Sequence, residues 1–206
     1  DFSVGVRDGE FNLPKGAIAG QRVQLFFNDV IQGVETVQDF DDLPIPFRAV
    51  ATNLENGEMA VFTQGPLPVA MRASMSVPGA FAPMEWEDHI YVDGMLVRNL
   101  PIDVARELGV DVIIAVNLGS GYLPREKLGN ILGVTGQMIA ILTEQNVQVS
   151  LKQLDPQRDV LIIPELGDMT TSDFARAPEA IASGEAAARQ MAPQLARYRL
   201  SETEYA

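Results

Sequence analysis

The stretch that most constrains the fold runs from Ile90 to Leu118. Ile90-Tyr91-Val92 is a short β-type run that ends on Asp93 and is followed at once by Gly94. Pro101 then opens a two-turn helix over Ile102 to Leu108, which Gly109 stops. Val110 to Leu118 is a near-continuous apolar run rich in Val and Ile, the pattern of a strand buried on both faces. Strand, helix and strand in this order predict a βαβ-type element and a parallel sheet. The class expected is therefore α/β. An acid between a strand and a Gly turn also has one fixed direction, which suits either a general base or an ordinary Asp-Gly turn.

Earlier in the chain, residues 1–20 carry four glycines and a proline and read as an irregular lead-in with room for one short strand pair. Val23, Phe26, Phe27, Val30 and Ile31 keep helical spacing, with Leu25 widening the face. That helix is expected to pack on a core, or, on a sharper reading, to act as a flap that touches lipid. Ile45 to Asn53 and Glu58 to Phe62 read as strands joined through Asn56-Gly57, a strong hairpin signal. A helix over Pro66 to Ser74 follows, broken by Ser76-Val77-Pro78-Gly79. Met84 to Trp86 and Ile90 to Val92 flank the tight turn Glu87-Asp88-His89.

Beyond Leu118, one long helix is expected from Arg125 to about Leu154. Gly133 and Gly136 would weaken it, or allow close packing or a bend. Asp159 to Pro164 reads as a strand beside Val110 to Leu118. Thr170 to Asp173 offers cap residues, and Glu179 to about Arg197 forms an alanine-rich helix. One domain over residues 1–197 with a polar tail at 198–206 is the expected organisation, since 206 residues suit a single core of ordinary size.

Composition excludes several classes of function. A net charge of −13 repels phosphates, so nucleic acid is not an expected partner. With no cysteine there is no disulfide, thiolate metal site or Cys nucleophile within this sequence. No apolar run reaches the roughly 18 residues of a membrane span. The sequence opens at Asp1 with neither Met nor a basic-then-apolar leader, and is read as a processed or truncated piece.

Candidate chemistry is sparse. No Gly-x-Ser-x-Gly elbow occurs; Gly16-Ala17-Ile18-Ala19-Gly20 has the glycine spacing without the Ser. Ser74 and Ser76 are read as cap or turn residues rather than nucleophiles. His89, the one histidine, sits in an acidic turn and is read as exposed. Glu85, Glu87, Asp88, His89 and Asp93 could be drawn as a hard-metal cluster, but strand alternation spreads them over two faces, so a solvated hairpin is preferred. Gly119-Ser120-Gly121 lacks the third glycine and the helix of a dinucleotide loop, which makes a nucleotide-binding reading weak. No cofactor is expected.

Three blocks resemble one family. Residues 40–54 (Phe40-Asp41-Asp42-Leu43-Pro44 through Ala51-Thr52-Asn53-Leu54), residues 70–83 (Ala70-Met71-Arg72-Ala73-Ser74-Met75-Ser76-Val77-Pro78-Gly79-Ala80-Phe81-Ala82-Pro83) and residues 92–101 (Val92-Asp93-Gly94-Met95 through Asn99-Leu100-Pro101) are similar to bacterial patatin-like phospholipases in order and spacing. The likeness runs from about residue 1 to 197 and is dense between 40 and 118. It implies a three-layer α/β/α patatin-like sandwich with a mainly parallel central sheet, the N-terminal part of that fold preceding this sequence. It also implies hydrolysis of fatty acyl esters by a Ser-Asp dyad through an acyl-enzyme, on phospholipid or another acyl ester. Carried over by position, Asp93 is the dyad acid, Gly94 its turn partner and Met95 a supporting residue. Catalysis needs nucleophile, base and oxyanion donors together, so these 206 residues alone are expected to be inactive.

Met95 stands where the family has Gly or Ala. If that position needs φ > 0 or close backbone approach, Met would cost about 1 kcal/mol and displace Asp93. The Thr143-Glu144-Gln145-Asn146 region and the tail resemble a secreted branch in which a membrane-barrel module follows, which favours a secreted or cell-surface site over a cytoplasmic one. Peripheral membrane contact and homodimerisation remain open. The rival reading is a non-catalytic lipid- or partner-binding module that has lost the nucleophile elbow.

Overall fold

The computed structural model describes residues 5–7, 10–12, 21–119, 121–170, 173–201 and 203. The chain divides into two compact units, Asp1–Asn99 and Leu100–Ala206. Gly16 to Gly20 and Ser120 lie outside the described residues.

In the first unit, β1 (Gly5–Arg7) and β2 (Glu10–Asn12) form an antiparallel pair, as the lead-in allowed. Helix α1 (Gln21–Val30) follows. Its apolar face departs from the expected core packing: Leu25, Phe26 and Val30 are exposed, and only Ile31, just past its end, is buried. The main sheet contains β3 (Ala49–Asn53), β4 (Met59–Phe62), β5 (Met84–Trp86) and β6 (His89–Asp93) in the order β4-β3-β6-β5.

Every neighbouring pair in this sheet is antiparallel. Short connections explain this for β3–β4 and β5–β6, because a crossover to a parallel strand needs a dozen or more residues; β3 and β6 are joined the long way, through β4, a helix and β5. At the β3–β4 turn Gly57 takes φ +74° and its N–H returns to the Asn53 carbonyl at 2.8 Å. Glu87 and Asp88 both adopt positive φ, 49° and 62°, between β5 and β6. That pair of angles suits the right-handed strand twist of a two-residue hairpin.

Helix α2 (Leu67–Ser74), capped by Pro66 in extended conformation, lays Leu67 and Ala70 onto a core with Ile31, Phe40 and Ala49. Phe40 is fully buried, which is worth about 1.5–3 kcal/mol relative to exposure. The one-turn helix α3 (Met95–Arg98) follows β6 directly.

The second unit holds α4 (Ile102–Glu107), β7 (Ile114–Val116), α5 (Ile131–Leu151), β8 (Val160–Ile162), α6 (Ala177–Gln190) and α7 (Ala192–Leu195). β7 and β8 pair in parallel, Ile114 with Val160 through Val116 with Ile162. Among the described residues β6 pairs with β3 and β5 alone, so the βαβ unit expected over Ile90 to Leu118 does not form, whereas the expected partnership of β7 with β8 is present. Among the described residues it is the one parallel pair, while the larger sheet is antiparallel. The Val110-to-Leu118 run contributes only three strand residues, and Ile114 and Val116 are about half exposed (54% and 50%), so burial on both faces is not observed.

The expected long helix begins later. Arg125–Leu128 forms a 3₁₀ turn, and Asn130 then caps α5 by accepting the Gly133 N–H at 2.9 Å. A Cβ at Gly133 would stand 1.9 Å from the Lys127 carbonyl oxygen, so this glycine permits close packing of that turn. Val147 packs with Leu100, Ile102, Ile113 and Ala115, while Ala187 of α6 packs on Val160 and Ile162. The alanine-rich helix ends at Gln190, short of the expected Arg197; Pro193 starts the separate α7. No described helix is long and apolar enough to cross a membrane.

Candidate active site

Asp93 is the last residue of β6, paired with Ala51 of the central strand β3. Three contacts fix it. Its N–H donates to the Ser76 carbonyl at 3.0 Å. Its carbonyl accepts the Thr52 hydroxyl at 2.9 Å. One carboxylate oxygen, Oδ1, accepts the Met95 N–H at 2.9 Å. The backbone of Asp93 is thus tied to two neighbours, and its side chain is oriented by the first N–H of α3.

Burial pushes the Asp93 carboxyl above the ordinary Asp range, because low-dielectric surroundings disfavour the charged form; the Met95 N–H partly offsets this. A carboxylate with a raised pKa is a stronger base, and a fixed one can take a proton from a single direction. Among the described residues no hydroxyl group bonds to this carboxylate.

Gly94 is needed for space rather than for backbone angle. Its φ is −61°, open to any residue. A Cβ there would lie 2.5 Å from the Val50 carbonyl oxygen of β3, a backbone atom that cannot swing away. Met95 starts α3 with a negative φ, which any residue adopts. The conditional penalty at Met95 therefore does not arise from backbone angle, and its N–H holds Asp93 rather than displacing it.

The remaining candidates are dispersed. His89 is exposed and pairs with Glu55 at 2.9 Å in the solvated hairpin. Ser76 is fully buried, and its hydroxyl donates to the Arg72 carbonyl at 2.8 Å, a helix-end contact rather than a nucleophile's. Sequence reasoning gave no role to Arg72 or Thr52. The signal for the first was the four-residue spacing from Arg72 to Ser76, which stacks one above the other at a helix end.

The comparisons fall on this same region. Residues 11–106 match the model of the family described as patatin-like phospholipase. Patatin-like phospholipase domain-containing protein 7 of Rattus norvegicus is 38% identical over 96 residues, 46% of this chain and 7% of that protein. An uncharacterized NTE family protein of Mycobacterium tuberculosis is 37% identical over 90 residues, 44% of this chain and 25% of that protein. A putative patatin-like phospholipase domain-containing protein of Caenorhabditis elegans is 31% identical over 106 residues, 50% of this chain and 9% of that protein. The chain thus spans a quarter or less of the length of these relatives. The matched segment takes in the whole four-stranded sheet, α2 and Asp93, with an α/β fold of the patatin-like kind. The similarity to patatin-like phospholipases is thus carried by residues 11–106, the segment that holds Asp93.

Proposed function

We propose that this chain supplies the base half of a lipid acyl hydrolase of phospholipase A type. Asp93 works there with a serine from a preceding part of the whole protein. The observation that carries the reading is the Asp93 carboxylate itself: half-buried, raised in pKa, and aimed by the Met95 N–H from the end of a central strand. In the forward step Asp93 accepts the serine hydroxyl proton as the oxygen attacks the ester carbonyl. The tetrahedral adduct then expels the alcohol or lysolipid, which leaves with that proton, and an acyl-enzyme remains. Water attacks the acyl-enzyme, its proton again passing to Asp93. The fatty acid departs as serine regains a proton. A dyad of this kind needs no histidine, which agrees with the peripheral position of His89.

The substrate class is a phospholipid or another fatty acyl ester, in keeping with the family's description. The exposed Leu25, Phe26 and Val30 of α1 give the chain an apolar surface for peripheral membrane contact. The test uses the full-length protein with phospholipid and p-nitrophenyl acyl esters. Asp93→Asn should lower kcat by a factor on the order of 10⁴ or more while the protein stays folded, since it removes the general base from a two-residue device. Full activity in that variant would remove Asp93 from the mechanism.

The rival, a non-catalytic lipid- or partner-binding module, draws on the lack of a hydroxyl partner for Asp93 among the described residues. The preceding reading frame separates the two: a Gly-x-Ser-x-Gly and a glycine-rich loop there favour the enzyme, and their absence favours the module.

A further inference from the structure

Arg72 projects from the last turn of α2 into the protein and is only 3% exposed. Its Nη1 donates to the Ser76 hydroxyl at 2.5 Å and its Nη2 to the Ala82 carbonyl at 2.7 Å. The guanidinium lies over the Phe81 ring, 5.3 Å from its centroid. One planar fork therefore holds both ends of the 76–82 segment. That segment meets the site directly, because the Ser76 carbonyl accepts the Asp93 N–H at 3.0 Å. Ser76 also donates back to the Arg72 carbonyl, which closes the ring of contacts.

A buried guanidinium is an expensive way to fill this space. Burial lowers its pKa, and no carboxylate among the described residues acts to raise it again. An apolar side chain of similar volume would avoid the desolvation cost. What an apolar side chain lacks is the pair of directed donors, and Lys lacks the rigid fork that spans two acceptors. We propose that Arg72 is a positioning residue for Asp93, acting through Ser76 to fix where the end of β6 presents its carboxylate; this rests on the reading of Asp93 as the base. The charge of Arg72 is not the agent. Geometry is: the fork sets Ser76, the Ser76 carbonyl sets the Asp93 backbone, and the backbone with Met95 sets the carboxylate.

The experiment compares Arg72→Lys, Arg72→Met, Ser76→Ala and Asp93→Asn with the unaltered full-length protein. It reads kcat, KM, the pH–rate profile and the folded fraction by thermal melting. Misplacing a catalytic group by about 1 Å costs up to about 100-fold. Both Arg72 variants should lose about 10- to 100-fold in kcat per folded molecule, with KM changed less than about threefold. Lys should do no better than Met, because charge without the fork does not bridge. The acidic limb of the profile should move to lower pH as water reaches the loosened carboxylate. Ser76→Ala should shift the same readouts less, and it carries the test if the Arg72 variants fail to fold. A loss that merely follows the folded fraction, with kcat per folded molecule and the acidic limb unmoved, overturns the proposal while leaving Asp93 in place. Full activity of Asp93→Asn, or no hydrolysis by the unaltered protein, overturns the base reading and this proposal with it.

Discussion

Asp93 is held in a state that costs stability once its carboxyl ionises. Its folded-state pKa lies above that of a free Asp, about 3.9. The folded state therefore binds this proton more firmly than the unfolded chain does. Its contribution to stability is complete below about pH 3.9 and is lost as pH rises through the raised value. Asp93→Asn, which keeps an acceptor for the Met95 N–H but never ionises, should melt at a higher temperature than the unaltered protein near neutrality. The gain should vanish in acid, and scanning calorimetry across that range reads both. A variant that is less active and more stable is the signature of a functional site. At this scale the sequence was partly legible. Val92-Asp93-Gly94 marks an acid at a strand end, and the acid is there. Two facts were not legible because they depend on through-space neighbours. Gly94 is required by the Val50 carbonyl on another strand, not by its own φ. Arg72 reads as one polar residue in an apolar helix until the chain folds Ser76 and Ala82 around it.

Elements defined by local turn chemistry were the most legible. Asn56-Gly57 and Glu87-Asp88 pin their hairpins wherever the rest of the chain goes. Elements defined by hydrophobicity alone were drawn too long. Val110 to Leu118 is apolar throughout but offers only three residues to the ladder with β8. The helix expected from Arg125 begins at Ile131, where Asn130 supplies a cap that apolar spacing does not reveal. The β7–β8 junction also depends on a carboxylate that patterning overlooks. Asp159 Oδ1 accepts the Ile113 N–H at 2.9 Å; Oδ2 accepts the Asp155 N–H at 2.8 Å and Arg106 Nη2 at 2.5 Å. Its side chain is 1% exposed, against 32% for Arg106. Burial alone would raise its pKa, but the two backbone donors and the guanidinium outweigh it and hold it below the usual range. This is the opposite sign to Asp93. Its stabilisation is present above about pH 3.9 and is lost as pH falls through the lowered value. Asp159→Ala should cost about 3 kcal/mol at neutral pH, since it leaves two backbone N–H groups and a guanidinium without their acceptor. Urea denaturation should find that deficit shrinking in strong acid.

For the whole molecule the governing quantity is charge. At −13 the chain is repelled by anionic lipid, so any membrane contact has to come from apolar area. The chain offers such area at α1, where Leu25, Phe26 and Val30 face outward. Apolar burial contributes about 25 cal/mol per Å² removed from water and is insensitive to moderate salt. The repulsion is not: its range falls from about 30 Å at 0.01 M salt to about 8 Å at 0.15 M. The two forces can therefore be separated by varying lipid charge and salt independently. In vesicle co-sedimentation, zwitterionic vesicles should bind this protein more strongly than anionic ones at low salt. Raising salt should narrow the difference by improving binding to the anionic vesicles, the reverse of what a basic lipid-binding protein does. Leu25→Ser combined with Phe26→Ser should weaken binding to both vesicle types about equally, because it removes the attraction and leaves the charge unchanged. A variant that lost binding to anionic vesicles alone would mean that α1 is not the contact surface. Equal binding of the unaltered protein to both vesicle types at low salt would mean that the acidic surface is turned away from the membrane.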